Sequence, residues 1–283
     1  MGKNAVIFLH PTLRNLTISC FDVGEDIIPY ISANQSPTGL RSLTFDECNI
    51  TVKGLAAILS LPKGLQRLTI GERMHHLHGY AHTPLGPNPE SFLQALALQK
   101  DSLQYLKHIG VPCGVVGSID NLSMDVFTNL REMELDNHSI LASILSEAAT
   151  RGSPFAGNLH LRLIQAYNSA HSPPGTPLDE DPLLGSMYQW FKLVPNLDFI
   201  IDFLHRRDGS AILTGMWKHE KQRKFAKKIF ALAATDVTQT QNTPNKRRLK
   251  MFFVQSAGYI PPYMYGEIRP RECLIFDSQN RTA

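Results

Sequence analysis

A repeated spacing of apolar residues dominates the first two thirds of the 283-residue chain. The segment from Leu40 to Ile50 fits the frame L-x-x-L-x-L-x-x-[N/C]-x-L at every fixed position, with Phe45 and Ile50 in place of two leucines. A single unit of this kind leaves its apolar side uncovered, so the units must stack and share a continuous core. Seven occurrences, separated by 27, 25, 38, 27, 26 and 41 residues, begin at Leu13, Leu40, Leu65, Leu103, Leu130, Ala156 and, more weakly, Leu197.

Within each unit the apolar period changes from two to 3.6 residues. Leu43 and Phe45 alternate with polar residues, as on a strand with one buried face, whereas Leu55, Ile58 and Leu59 share one side of a helix. The pattern therefore predicts an α/β fold in which parallel strands line the inner side and helices lie outside.

Further residues of the frame receive local assignments. Cys48, or Phe21 at the same position of the first unit, is expected to pack beneath the turn as a buried residue. Asn88 and Pro89 suit the N-cap and first position of a helix. That helix is predicted to carry Phe92, Leu93, Leu96 and Leu98.

The segments LRSLTFDECNITVKGLAAIL and VPNLDFI, the latter after MYQWFK, resemble the leucine-rich repeats of F-box and ribonuclease-inhibitor-like proteins. The resemblance implies a curved solenoid over residues 1–204. Residues 205–283 are separately expected to form a basic helix and C-terminal cap. In that family an F-box docks on a ubiquitin-ligase scaffold while the repeats hold the substrate. The first repeat here begins at Leu13, and no F-box is found. A ligase scaffold is thus an expected partner only if an F-box lies upstream.

Two insertions interrupt the repeat. The first, near 75–89, holds four histidines but no cysteine or carboxylate at ligand spacing, so a solvated loop without metal is expected. The second, 168–186, is rich in proline and acidic residues and is predicted to be mobile. After it, the helix from Met187 to Leu193 should bury Trp190 and Phe191. The four histidines are His75, His76, His78 and His82.

Positive charge is concentrated in residues 206–250, where 12 Lys and Arg face three acidic residues, a net +9. Phe225 and Ile229 lie on one side of a basic amphipathic helix, which we expect to cap the last repeat. Residues 251–254 and 273–276 are predicted strands that cover the sheet edge. A nucleic-acid contact through the basic segment is the alternative. The basic side chains expected to face solvent are Lys221, Arg223, Lys224, Lys227 and Lys228.

Composition bounds the class of protein. The net charge of the whole chain, +3, does not by itself imply a nucleic-acid partner. Four cysteines without a C-x-x-C motif read as reduced thiols. No apolar stretch approaches membrane-helix length, so we expect no membrane association and a cytoplasmic or nuclear protein. Six N-x-S/T triplets keep an extracellular recognition protein as a further alternative.

The usual local signatures of catalysis are missing from the sequence: G-x-G-x-x-G, G-x-x-x-x-G-K-[ST], G-x-S-x-G and H-E-x-x-H do not occur. The sequence therefore predicts a non-catalytic interaction module without a cofactor.

Strand parity predicts the binding surface for a partner protein. If Met133 and Leu135 point inward, then their neighbours point out from the concave face, and the same parity applies on the other strands. An acidic row then lies between two partly basic rows, with Tyr105 as an aromatic anchor. The alternative is that these charges only neutralise one another and solvate the sheet. The predicted protein-binding residues are Ser42, Thr44, Asp46, Arg67, Thr69, Tyr105, Lys107, Glu132, Glu134, Asp136, His160 and Arg162.

Overall fold

A computed structural model gives the arrangement of the chain as two compact units. Unit 1 comprises Met1–Arg151 with Phe155–Gly157, and unit 2 comprises Gly152–Pro154 with Asn158–Ala283. The structure describes residues 2–33, 36–72, 85–111, 113, 114, 116, 118–151, 159–167, 180–204, 224, 225, 227–229, 231, 248–256 and 272–279. The histidines at 75, 76, 78 and 82 and the basic residues 221 and 223 therefore lie outside the described part of the chain.

Strands β3, β4 and β6 of unit 1 are each followed by a helix, as the period change predicts, whereas no helix separates β5 from β6 in the described residues. Its strands pair in the order β1-β3-β4-β5-β6, all parallel, and the short β2 pairs with the end of β3. The elements are a 3-10 helix Gly2–Leu9, β1 Asn15–Ser19, β2 Asp22–Val23, a 3-10 helix Glu25–Ile27, α1 Ile28–Ser32, β3 Ser42–Ile50, α2 Val52–Leu59, β4 Arg67–Glu72, α3 Pro89–Ala97, β5 Tyr105–Ile109, β6 Glu132–Asp136 and α4 Ile140–Thr150.

The strand register of unit 1 reproduces the first four sequence spacings. Leu16 pairs with Leu43, Leu43 with Leu68, Leu68 with Leu106, and Leu106 with Met133. These steps are 27, 25, 38 and 27 residues, and all five side chains are buried. Leu43 and Phe45 are fully buried, as predicted. The α/β class and the parallel strands are thus confirmed.

Helix α2 follows β3 with a capped N-terminal end and one apolar side. The Gly54 N–H donates to Thr51 Oγ1 at 3.1 Å, and Leu55, Ile58 and Leu59 are buried as predicted. A Cβ on Gly54 would lie 2.9 Å from the Val23 carbonyl oxygen, so glycine permits the close approach of α2 to the preceding repeat.

Helix α3 agrees with the sequence except at its ends. Asn88 occupies the N-cap position before Pro89, but its side chain makes no capping hydrogen bond. Phe92, Leu93 and Leu96 are buried, whereas Leu98 is half exposed because the helix ends at Ala97. The prediction that the helix carries Leu98 was wrong by one residue, since Leu98 is the C-cap.

A residue with positive φ recurs at the same position of the first two repeats, directly after β1 and within β3. Cys20 and Glu47, 27 residues apart, have φ of 58° and 52°. The thiol of Cys48, the residue after Glu47, is buried and donates to the Ile18 carbonyl of the preceding repeat at 3.3 Å, as expected for a structural thiol. Phe21, at the same position one unit earlier, is exposed, which corrects the prediction. Among the described residues no strand precedes β1 to cover it.

The strands of unit 2 are also mostly parallel. It contains β7 His160–Tyr167, α5 Glu180–Leu193, β8 Asn196–Leu204, β9 Arg248–Ser256 and β10 Glu272–Asp277. Strands β7, β8 and β9 are parallel, and β10 is antiparallel to β9. The two strands predicted near the C-terminus are therefore confirmed as β9 and β10.

The structure corrects two predictions in unit 2. Leu161 pairs with Leu197, a step of 36 residues, so the frame placed at Leu197 with a spacing of 41 was out of register. Helix α5 begins at Glu180, so residues 180–186 are helical rather than part of a mobile insertion. Leu184, Met187 and Phe191 are buried at helical spacing, which explains the early start. Trp190 is also buried, as predicted.

The basic segment has one described helical stretch. Phe225 and Ile229 are buried, while Lys224, Lys227 and Lys228 are exposed, as predicted from the amphipathic pattern. None of the helices in the described ranges is both long and apolar enough to cross a lipid bilayer.

Candidate protein-binding site

Nine of the predicted binding residues lie on β3 to β6 of unit 1 and alternate with the buried rows. In-register pairing places Ser42, Arg67, Tyr105 and Glu132 in one row across the strands. Thr44, Thr69, Lys107 and Glu134 form the next row. All eight are exposed or half-buried. We call these eight residues, together with the half-buried Asp46, the polar face.

An ion pair joins two strands at the centre of the polar face. Lys107 Nζ lies 2.6 Å from Glu134 Oε1, and the two side chains retain 30% and 18% exposure. The Tyr105 hydroxyl donates to the other carboxylate oxygen of Glu134 at 3.4 Å. One carboxylate therefore holds both a lysine and a tyrosine of β5.

The face of the Tyr105 ring contacts the cationic side chain of Arg67. The guanidinium carbon of Arg67 lies 4.0 Å from the centroid of the Tyr105 ring, a cation–π contact. Burial, and then the negative charge of Glu134, raises the pKa of Tyr105 to about 12, against a smaller opposing effect of Arg67. The phenol consequently stays protonated and serves as a hydrogen-bond donor.

Asp46 extends the charged part of the polar face onto β3. Partial burial raises the pKa of its carboxyl, and the positive charge of Lys107 opposes that rise. The carboxyl group of Asp46 and the ammonium of Lys107 thus influence each other across the sheet.

Asp136 does not lie on the polar face, contrary to the prediction. Its side chain is 5% exposed, and Oδ1 accepts a hydrogen bond from the Gly110 N–H at 3.0 Å. Parity fails because β6 ends at this residue and the carboxylate turns to a backbone donor at the end of the neighbouring strand. Burial raises the pKa of Asp136, while the Gly110 hydrogen bond and nearby His108 and His138 oppose the rise.

His160 and Arg162 belong to unit 2, where each is paired with a carboxylate. His160 Nε2 lies 3.2 Å from Asp198 Oδ2, and Arg162 Nη2 lies 2.7 Å from Glu272 Oε1. Their predicted place beside the acidic row of β6 remains a prediction.

A buried polar chain behind the polar face was missed. His108 Nδ1 lies 2.7 Å from Ser139 Oγ, and Nε2 lies 3.0 Å from Glu72 Oε1. Glu72 Oε2 also accepts the Leu85 N–H at 2.9 Å. The one signal in the sequence was that His108 occupies an inward position of the frame where leucine is expected. Its partners lie 36 and 31 residues away, beyond the reach of local patterns.

This chain has the order of a serine–histidine–carboxylate triad, but its environment differs from that of a catalytic site. His108, Ser139 and Glu72 are 0%, 1% and 3% exposed, and the ring of Phe92 packs 5.1 Å from the imidazole. The Ser139 hydroxyl is enclosed by the core. We therefore interpret these three hydrogen-bonded residues as structural, because they satisfy polar groups that folding buries.

Chemically, the polar face offers an aromatic ring, charges of both signs and hydroxyl groups on neighbouring strands. Within the described ranges no group of three or more His, Cys, Asp or Glu side chains is arranged to hold a metal ion. The arrangement suits recognition of a surface that carries charges and hydrogen-bonding groups. Comparisons of the chain with protein-family profiles, with curated proteins and with solved structures find no match.

Proposed function

We propose that this chain is a leucine-rich-repeat protein that binds another protein through the polar face. Parallel strands in register at the repeat spacing, each followed by a helix or loop segment, support the leucine-rich-repeat reading. In such repeats the inner sheet surface is the customary place for extended binding surfaces. We propose a curved solenoid closed by the C-terminal strands on the same grounds.

The observation that carries the proposal is the fixation of Tyr105. Its ring lies against Arg67, its hydroxyl is bonded to Glu134, and the residue is half-buried rather than enclosed. Tyrosine is enriched at the energetic centres of interfaces because it offers apolar area and a hydrogen-bond donor. A side chain already held in place loses little conformational entropy on binding.

The surroundings of Tyr105 define the kind of partner. Glu132, Glu134 and Asp46 are acidic, and Lys107 forms an ion pair with one of them, Glu134. We propose that the partner presents basic or hydrogen-bonding residues to this row. Ser42, Thr44, Arg67 and Thr69 extend the same surface toward the N-terminal strands.

We further propose, from the sequence resemblance, that the bound protein is a substrate of an F-box-type ubiquitin ligase. This role requires an F-box in the same polypeptide. Reading the genomic sequence upstream of Met1 for an in-frame helical segment tests it directly, and finding one would support a ligase adaptor in the cytoplasm or nucleus.

A quantitative pull-down with the double variant Tyr105→Ala and Glu134→Lys tests the polar face. A control with the same changes of residue type, Tyr30→Ala and Glu90→Lys, places them on helices α1 and α3 instead. Circular dichroism must first establish that both proteins fold. We expect partners to be recovered with the native chain and the control but lost with the double variant. Equal recovery with all three proteins would exclude the polar face.

The alternatives make different predictions. Exposed Lys224, Lys227 and Lys228 would support salt-dependent retention on heparin if the basic segment binds nucleic acid. A mass shift on glycosidase treatment would instead support an extracellular recognition protein.

A further inference from the structure

A second surface feature of unit 1 lies at the amino ends of the first strands. A cavity of about 270 Å³ opens beside the starts of β1 and β3. It is lined by three basic side chains, Arg14, Arg41 and Lys63, and by Thr38. No acidic residue is among the described residues that line it.

The two arginines occupy equivalent positions in successive repeats. Arg14 directly precedes β1 and Arg41 directly precedes β3, 27 residues later. Arg14 Nη1 donates to the Pro11 carbonyl at 3.2 Å, and Arg41 Nη1 donates to the Gly64 carbonyl at 3.1 Å. These bonds use only part of each guanidinium, which carries five N–H donors.

Glycine permits both arginines to lie where they do. A Cβ on Gly39 would collide with the Arg14 guanidinium, and a Cβ on Gly64 would lie 3.3 Å from Arg41 Nη1. Gly39 and Gly64 are 25 residues apart, the spacing of their own repeats. Each guanidinium therefore lies against a glycine of the next repeat.

Positive charge in this cavity has no internal counterpart. Arg14, Arg41 and Lys63 form no ion pair with a carboxylate in the described ranges. Their strands are neighbours, about 4.8 Å apart in a sheet, so the two guanidinium-bearing positions lie side by side. Neighbouring positive charges repel, and a bound anion would reduce the repulsion.

Thr38 gives a second, independent indication of a ligand. The residue is 2% exposed, and its hydroxyl finds no hydrogen-bond partner in the part of the chain that the structure describes. Its backbone groups are satisfied, since its N–H donates to Leu61 O at 2.9 Å and its carbonyl accepts from the Lys63 N–H at 3.1 Å. A buried hydroxyl without a partner lowers stability, and an oxyanion in this cavity would supply the partner.

We propose that the cavity binds a phosphate monoester, either a free small molecule or a phosphorylated side chain of a partner protein. A phosphate monoester carries a charge of about −1.5 to −2 at pH 7 and three acceptor oxygens, which suits three cations and a hydroxyl better than one carboxylate does. Arginine binds phosphate with paired N–H donors. The volume is below the range of roughly 300 to 1,000 Å³ that accommodates larger ligands, so the phosphate group itself is the recognised part. This site does not depend on the polar face.

Titration of the full chain with inorganic phosphate, O-phosphoserine and a phosphoserine peptide at low salt, followed by calorimetry, tests the proposal. We expect the double variant Arg14→Ala and Arg41→Ala to weaken binding by about tenfold or more, because two charge-assisted contacts are lost. Arg131→Ala is the matched control, since Arg131 precedes β6 as Arg41 precedes β3 but has Gln104, not arginine, at the equivalent position of the neighbouring strand. The control should bind like the native chain.

A comparison of the ligands identifies the source of the phosphate, and a second variant is used if the first does not fold. Tighter binding of the peptide than of O-phosphoserine supports a phosphorylated partner, and equal binding supports a free monoester. If circular dichroism shows that the double variant does not fold, Lys63→Ala replaces it, because this exposed side chain is part of no described hydrogen bond or ion pair. No binding up to about 10 mM, weaker than any specific site of this kind would show, would overturn the proposal. An equal loss of binding in Arg131→Ala would also overturn it.

Discussion

Two consecutive residues of β5, Lys107 and His108, form similar contacts with carboxylates on opposite faces of the same sheet. Lys107 Nζ lies 2.6 Å from Glu134 on the polar face, and His108 Nε2 lies 3.0 Å from Glu72 on the buried face. The first pair keeps 30% and 18% exposure, the second 0% and 3%. Water can replace the partner of either group in the first pair but not in the second. Burial rather than distance therefore determines what each contact contributes.

This difference assigns separate roles to the two faces. A polar contact that can exchange with water can also exchange with a partner protein, as binding through the polar face requires. The buried contact between His108 and Glu72 cannot be exchanged in this way, because both groups would be left without a partner. We therefore expect substitutions on the buried face to alter stability and those on the polar face to alter binding.

Truncation of the buried apolar row should give the largest effect. Leu43 is fully buried and pairs in register with Leu16 and Leu68, so Leu43→Ala should lower the free energy of unfolding by about 2 to 5 kcal/mol. Its neighbour Thr44 on the polar face is the control, and Thr44→Ala should change stability by only about 0.5 kcal/mol. Urea unfolding measures both. A similar loss in the two variants would contradict the assignment of faces.

Restoring the apolar frame at position 108 should, unexpectedly, destabilise the protein. His108→Leu places the residue that the repeat favours but leaves the Ser139 hydroxyl and the Glu72 carboxylate buried without their partner. We expect a loss of about 1 to 3 kcal/mol in chemical unfolding. Adding Ser139→Ala to this variant should recover part of the lost stability, because the unpaired Ser139 hydroxyl is then removed. A gain in stability from His108→Leu alone would mean that the buried chain contributes nothing.

Local sequence patterns predicted what the repeat itself determines. Registers such as Leu43 with Leu68 follow from spacing alone, because each strand begins at the same point of its unit. The predictions from local patterns were wrong where the position of a side chain depends on a distant neighbour or on the end of an element. Asp136 leaves the polar face because Gly110 offers a donor at the strand end, and Phe21 is exposed because no described strand precedes β1. The Thr38 cavity likewise joins residues from separate loops.

Asp136 should show how burial affects a carboxylate at the boundary between the two faces. Burial raises the pKa of Asp136 above its usual 3.8, so the folded chain binds this proton more tightly than the unfolded chain does. The contribution of Asp136 to stability must then fall as the pH rises from about 3.8 toward the raised value. Asp136→Asn keeps an oxygen for the Gly110 N–H and removes this dependence.

Unfolding of the native chain and of Asp136→Asn across this pH range provides the measurement. We expect the variant to gain stability relative to the native chain as the pH rises, with the difference smallest in acid. A constant difference at every pH would show that Asp136 titrates alike in the folded and unfolded chains.

The smallest effect should come from the ion pair of the polar face. A double-mutant cycle with Lys107→Met and Glu134→Gln should give a coupling energy of about 0.2 to 1 kcal/mol, since both groups keep contact with water. Added salt should reduce this coupling, because exposed charges are screened. The equivalent cycle with His108→Leu and Glu72→Gln should give a larger coupling that salt hardly changes, since both side chains lie within the core. If the two cycles gave equal couplings with equal salt dependence, burial would not distinguish the two faces. Contacts on the polar face would then be no easier to exchange for contacts with a partner than those in the core.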